Sequence, residues 1–203
     1  MIRHIIFDMG GVLKDFNPPK MLRARNIEGG DFDILMRELF HETEWIALDH
    51  GAVSEQQAYE SVAKRLPEHL KPAAKDLIFN WWKDPFDDKE GMDELIHELK
   101  NNGYDIYLLS NASIRQAEYF HRLPGSECFS GRITSADVLL LKPWADIYRL
   151  CLKTFGLKAE ECVFIDDSAA NVYCAKLEGY AGIVYHDDTE LLKTRMRELG
   201  IRI

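Results

Sequence analysis

A chain of 203 residues, 46% hydrophobic and 29% charged, can bury a core without covalent staples and is neither disordered nor fibrous in composition. Its length admits one domain, or one domain carrying a sizeable insertion. The formal net charge of -9 sets it against nucleic acid and anionic membranes as partners, and against phosphate too, so any anion site must concentrate lysine, backbone amides or a metal locally.

The N-terminus, Met1-Ile2-Arg3-His4, runs at once into Ile5-Ile6-Phe7, a short apolar stretch of the kind buried on both faces of a sheet, and ends on Asp8. It is too short for a signal peptide, and no stretch approaches the length of a membrane span, so cytoplasm is the default expectation. From about residue 17 to 86 the chain carries helical patterns and no convincing strand. Ser54 and Gln57 form a capping box, Val53 and Ala58 its hydrophobic staple, and Leu77, Ile78, Trp81 and Trp82 close an apolar helix. The polar Asp84-Pro85-Phe86-Asp87-Asp88 reads as a return linker.

Met92, Leu95, Ile96 and Leu99 then follow helical spacing up to Gly103, and Ile106-Tyr107-Leu108-Leu109 forms a second buried strand ending at Ser110-Asn111. A weaker strand surrounds Ile133. Lys142-Pro143 precedes a helix carrying Ile147, Leu150 and Cys151 and ending at Gly156. Val163-Phe164-Ile165 is a strand ending at Asp166-Asp167, with a helix through Val172 and Ala175 toward Gly179. Gly182 to Tyr185 is the last strand. Cys128, Cys151, Cys162 and Cys174 have no zinc or redox spacing and read as reduced thiols. This alternation predicts an α/β fold: a parallel sheet covered by helices on both faces, interrupted after its first strand by a helical insertion.

Ligands of open parallel sheets bind beyond the carboxyl ends of the strands, where this chain places Asp8, Ser110-Asn111 and Asp166-Asp167. Gly10 and Gly11 let backbone amides approach a ligand next to Asp8, although an aspartate in a glycine turn is also ordinary turn chemistry. Adjacent Asp166 and Asp167 repel each other unless a cation intervenes, and magnesium favours such oxygen ligands; the plain alternative for Asp167 is a helix N-cap. The Ser110 hydroxyl and the Asn111 amide can donate to phosphate oxygens, or simply make a turn. Lys142 can meet an anion together with the free amides of a helix start, or be a solvated surface group.

Taken in order, Phe7-Asp8-Met9-Gly10-Gly11-Val12-Leu13, Leu109-Ser110-Asn111, Leu141-Lys142-Pro143 and Phe164-Ile165-Asp166-Asp167-Ser168 resemble the four motifs of the haloacid dehalogenase superfamily. The resemblance covers essentially the whole chain. It is nearest to the branch with a helical cap after the first motif, and there to the sugar-phosphate phosphatases similar to bacterial α-glucose-1-phosphate phosphatase. It implies a Rossmann-like core, residues 1–16 and 87–203, with an α-helical cap domain, residues 17–86. It also implies a Mg2+-dependent phosphatase acting on a small phosphorylated metabolite such as a sugar phosphate. The net charge argues against nucleic acid and membrane partners, and a monomer or homodimer is expected. Asp8 is the implied nucleophile, forming an aspartyl-phosphate. Ser110, Asn111 and Lys142 hold the phosphate, and Asp8, the Gly10 carbonyl, Asp167 and Asp166 surround the metal.

One position departs from the family pattern. The acid/base aspartate two residues after the nucleophile is replaced by Gly10, a recurring variant in the sugar-phosphate group. Loss of such a group typically costs about 10²–10⁴-fold in rate. Asp15, His41, Glu42, Asp49 and His50 are candidate surrogates, each with an ordinary polar role as the alternative. Trp81 and Trp82 are expected to pack the cap or its hinge. Two further readings are a 2-haloacid dehalogenase, whose aspartate attacks carbon without a metal, and a catalytically weak regulatory or binding relic.

Overall fold

The computed structural model describes residues 1–84 and 87–203. Five parallel strands, β1 (His4–Phe7), β2 (Asp105–Ser110), β3 (Phe129–Thr134), β4 (Cys162–Asp166) and β5 (Ala181–Val184), form one sheet in the order β3-β2-β1-β4-β5. β1 lies between β2 and β4, with Phe7 opposite Leu108 on one side and Ile165 on the other. Each central strand divides its side chains between two apolar layers. Ile5, Phe7, Ile106, Leu108, Val163 and Ile165 enter one cluster, while Ile6, Tyr107, Leu109 and Phe164 enter the second. Side chains two residues apart share a face, so a continuous apolar run is what a sheet covered on both sides requires. The strand around Ile133 is present as β3 at the sheet's edge.

Between β1 and β2 the described residues form helices and no strand: α1 (Pro18–Ala24), α2 (Gly29–Leu35), α3 (Thr43–His50), α4 (Glu55–Ala63) and α5 (Lys71–Asn80), followed by α6 (Met92–Asn101). The Ser54–Gln57 capping box is formed in both directions, and Ala58 is buried with Val53 packed on the same cluster. Part of the Asp84–Asp88 linker, including the expected boundary at residue 86, lies outside the described residues. The two crossings of the chain into this helical region are bonded to each other: the Asp15 amide donates to Asp87 O (2.9 Å) and the Lys89 amide to Leu13 O (3.0 Å). Leu35, Trp45, Val62, Leu77 and Trp81 of the insertion continue the apolar cluster that begins under the sheet with Ile5 and Phe7.

After β2 come α7 (Gln116–Tyr119), α8 (Ser135–Val138), α9 (Ala145–Phe155), α10 (Ala169–Leu177) and α11 (Thr189–Glu198). α9 and α10 end ahead of Gly156 and Gly179, whose φ angles of +67° and +92° suit a residue without Cβ.

Candidate active site

β1, β2 and β4 are adjacent and parallel, so their carboxyl ends deliver Asp8, Ser110-Asn111 and Asp166-Asp167 to one edge of the sheet. The Asp8 amide extends the ladder by donating to Ile165 O (2.9 Å), which fixes the backbone from which its carboxylate emerges. Lys142, buried with 3% of its surface exposed, reaches into the same point: its Nζ lies 2.7 Å from Asp8 Oδ1 and 2.7 Å from Asp166 Oδ2. The Asn111 side chain holds the lysine segment by a reciprocal pair, Nδ2 donating to Lys142 O and Oδ1 accepting from the Lys142 amide, both at 2.9 Å.

Asp166 is fully buried and saturated. Its Oδ1 accepts from the Ser168 amide (2.8 Å) and Asn171 Nδ2 (3.0 Å), and its Oδ2 from Lys142 Nζ and the same Asn171 nitrogen (3.0 Å). Asp167, the next residue, is exposed. The N-cap of α10 is Ser168, whose hydroxyl accepts from the Asn171 amide, so the simple capping role available to Asp167 is taken. Gly11, at φ +76°, faces the Asp167 carboxylate so closely that a Cβ there would overlap it.

Oxygens of Asp8, Asp166 and Asp167 all lie within 4.8 Å of one another. The electrostatics record the crowding. Burial pushes the Asp8 carboxyl up to about 7, with Lys142 pulling it down and Asp166 pushing it further up. Burial and Asp166 likewise raise Asp167. Burial works against the charge of Lys142, but Asp8 and Asp166 together hold its pKa above the ordinary lysine value. Three carboxylates face one ammonium, and hard oxygen donors at this spacing suit a small divalent cation such as magnesium. The donor set therefore fits that ion.

A cavity of about 250 Å³ opens above these groups. Its floor is Asp8, Gly10, Gly11, Asn111 and Asp167; its ceiling, from the helical insertion and the crossing before it, is Phe16, Trp45, Asp49 and Trp81. The three rings enclose one another at 5.5–5.7 Å between centroids. The Ser110 hydroxyl, buried at the end of β2 beside Asn111, has no hydrogen-bond partner among the described residues. A larger cavity, about 360 Å³, between β5 and α11 meets none of the strand-end carboxylates. A second acidic group, His97 with Glu127 and Cys128, has both histidine nitrogens committed, to Asp93 O and Glu127 Oε1, each at 2.8 Å.

Of the five candidate proton donors, the structure brings only Asp49 into the cavity lining. Asp15 lines a separate surface cavity with Lys20 and Asp84, and His41 and Glu42 are exposed. His50 packs its ring against Trp144, 6.1 Å between centroids. Trp81 packs in the core, as expected, and also walls the cavity; Trp82 packs beside it. Phe16 and Trp45, which the sequence did not single out, complete that wall, and Asn171 orients Asp166. Asn171 carries a local signal, since a polar residue in the first turn after a strand-end aspartate points back at it. The three rings come from segments far apart in the chain and carry none.

The helical insertion packs against the segments that follow β2 and β3 through small groups. Ser135 Oγ donates to Asp49 O and accepts from the Ala112 amide (2.9 Å). Gly51, at φ +77°, sits where a Cβ would lie 2.6 Å from Ala136 O. Arg115 adds a bidentate pair to Glu55, at 2.6 and 2.8 Å.

Comparison with known proteins matches residues 2–179 to a family model described as haloacid dehalogenase-like hydrolase. The chain is 26% identical over 185 residues to sesquiterpene phosphatase astK of Aspergillus oryzae, covering 88% of this chain and 87% of that protein. It is 24% identical over 193 residues to drimenol cyclase drtB of Aspergillus calidoustus, covering 94% of this chain but only 35% of that longer protein. Among solved structures, an alanine variant of a HAD family enzyme of Bacteroides thetaiotaomicron, in complex with magnesium and inorganic phosphate, superposes with a TM-score of 0.73 at 17% identity, over 95% of this chain and 99% of that one. No helix among the described residues is long and apolar enough to cross a membrane. With its parallel sheet, its strand-end aspartates and a family match across most of its length, the chain belongs to the haloacid dehalogenase-like hydrolases.

Proposed function

We propose that this hydrolase is a magnesium-dependent phosphatase that cleaves a small phosphomonoester, a sugar phosphate being the substrate class favoured by its motifs, through an aspartyl-phosphate on Asp8. The observation that carries the reading is the convergence of Asp8, Lys142 and Asp166 within 2.7 Å contacts beneath a cavity that Asp167 also lines. The relation to a sesquiterpene phosphatase supports the reaction class, and the magnesium and phosphate in the Bacteroides structure support the cofactor.

In this reading residues 17–86 form the cap and the remainder the catalytic core. Lys142 orients the Asp8 carboxylate and helps keep it ionised, as a nucleophile must be. The Ser110 hydroxyl and the Asn111 amide donate to phosphate oxygens, and Lys142 balances their charge as it shifts during transfer. Asp8, the Gly10 carbonyl and Asp167 are the direct metal ligands. Asp166, with both oxygens already hydrogen-bonded, serves the metal through its charge and holds Lys142 in place. Magnesium, when bound, supplies a Lewis acid that draws charge from the phosphoryl oxygens and screens the nucleophile from an anionic substrate. The cap excludes bulk water while the acyl-phosphate exists.

The test is phosphate release from a panel of phosphomonoesters in magnesium and in chelator, with Asp8→Asn alongside. Wild-type turnover lost in chelator, and reduced about 10⁴-fold or more by Asp8→Asn, is the expected result. Undiminished activity in chelator or in the Asp8→Asn variant would defeat it.

A further inference from the structure

We propose that Asp49, a cap residue, is the general acid and base of this site, supplying from the ceiling the proton transfers for which Gly10 has no side chain. The proposal deepens the phosphatase reading and rests on it. Its basis is placement. Asp8, Asp49 and Asp167 are the ionisable side chains among the described residues that line the cavity. Asp8 is the nucleophile and Asp167 a metal ligand, which leaves Asp49 for the proton.

In-line attack sends the leaving oxygen away from Asp8, into the space bounded by Trp45, Asp49 and Trp81. A carboxyl on the cap therefore meets that oxygen when the cap is closed. Asp49 is also held there by its own backbone. Its carbonyl takes the hydrogen bond of Ser135, and two residues later Gly51 lets α3 press against Ala136 of α8. The carboxylate itself makes no hydrogen bond or ion pair among the described residues, which leaves it available to substrate. Burial, and to a lesser degree the charge of Asp8, push it up to about 7, so that it carries a proton in the range where it must donate one.

The steps balance. As an Asp8 oxygen bonds to phosphorus, the ester P–O bond breaks and its electron pair stays on the departing alkoxide, which takes the proton of Asp49. Asp49, now ionised, accepts a proton from the water that attacks phosphorus. The P–O bond to Asp8 breaks, releasing inorganic phosphate and restoring both carboxyls to their starting states.

The experiment is rapid-quench release of the alcohol from two esters of one shape, phenyl phosphate and p-nitrophenyl phosphate, by wild type, Asp49→Asn and Asp49→Ala in magnesium. Nitrophenolate departs readily without a proton, whereas phenolate needs one. Both variants keep the carbonyl that docks the cap, and both are expected to lose at least about tenfold more of the first-turnover rate on phenyl phosphate than on p-nitrophenyl phosphate. After that turnover, slow hydrolysis of the acyl-phosphate should leave a burst. Equal losses on the two esters, or no loss on either, would overturn the role of Asp49 while leaving an Asp8-dependent phosphatase intact. A wild type inactive on both esters and on the wider panel would overturn both readings.

Discussion

At the floor of the cavity Lys142 lies 2.7 Å from both Asp8 and Asp166, whereas in the ceiling Asp49 faces Trp45, Trp81 and open space. The same residue type is thus placed in two settings. The floor carboxylates are crowded by one another and braced by a buried cation: burial pushes Asp8 up to about 7, and Lys142 pulls it back toward the ionised form. The ceiling carboxyl is set among rings and makes no ion pair among the described residues, and burial, with the charge of Asp8, pushes it up to about 7 as well. Burial raises both Asp8 and Asp49; what separates them is the 2.7 Å contact with an ammonium, which Asp8 has and Asp49 lacks among the described residues. The contrast also separates the sources of each part: the floor belongs to strand ends rigidly spaced by the sheet, the ceiling to an insertion whose position depends on docking.

The strongest way to break the floor is Lys142→Ala. It leaves Asp8 and Asp166 buried without their cation, and should cost about 3–5 kcal/mol of stability together with most of the activity. Chemical denaturation in the absence of divalent ions measures it; a loss under about 1 kcal/mol would mean that the buried pair is not the electrostatic centre of the floor.

The ceiling is probed by Asp49→Asn across pH. The folded Asp49 carboxyl is raised from 3.8 to about 7. The folded state therefore retains a proton that the unfolded chain releases, and this contribution, full below about pH 4, is lost as pH rises through about 7. The carboxamide of the Asp49→Asn variant has no such dependence. The variant should match the wild type near pH 4 and be more stable by roughly 1–3 kcal/mol at pH 8, read from urea midpoints. A difference constant over that range would show that Asp49 does not titrate between folded and unfolded states.

Gly51→Ala loosens the contact between the two halves. A positive φ and a carbonyl 2.6 Å from the new Cβ oppose it, and a cost of about 1–2 kcal/mol is expected, expressed as a raised KM with less change in the first-turnover rate on p-nitrophenyl phosphate. An unchanged KM would mean that the cap closes without this contact. The smallest expected effect on the fold is that of Gly10→Asp. Gly10 is not among the positive-φ residues, and a Cβ there meets only Phe16 Cβ, at 3.7 Å. Melting should move by less than about 1 kcal/mol, while Gly10→Asp added to Asp49→Asn should restore turnover of phenyl phosphate. Failure to restore it would place the role of Asp49 elsewhere than proton transfer.

The fold and the floor were legible because each rests on local pattern. A strand buried on both faces announces itself as an unbroken apolar run, as in Ile5-Ile6-Phe7 and Val163-Phe164-Ile165, and the polar residue that ends it is obliged to lie at the sheet's edge. β3 was faint because as an edge strand it carries Ser130, Gly131 and Arg132 in place of a second apolar layer. The ceiling was not legible. Nothing in the order of residues says that Phe16, Trp45 and Trp81 meet, since their contact is fixed by how helices pack at long range. Asp49 stood in sequence among five equivalent candidates, and only the docking of α3 on α8 distinguishes it.

That docking has a thermodynamic consequence. The Ser135 hydroxyl has one proton and two carbonyls within reach, Asp49 O on the cap and Ala112 O at 3.2 Å on the loop that follows Asn111. Were the insertion to lift, the proton would pass to an acceptor already present, and the buried hydroxyl would escape the cost of about 1–3 kcal/mol that an orphaned group carries. The same atom accepts from the Ala112 amide, so the loop after Asn111 and the helical insertion meet at one hydroxyl. Any ligand that binds more tightly with the insertion seated must favour that seating by the same free energy with which seating favours the ligand.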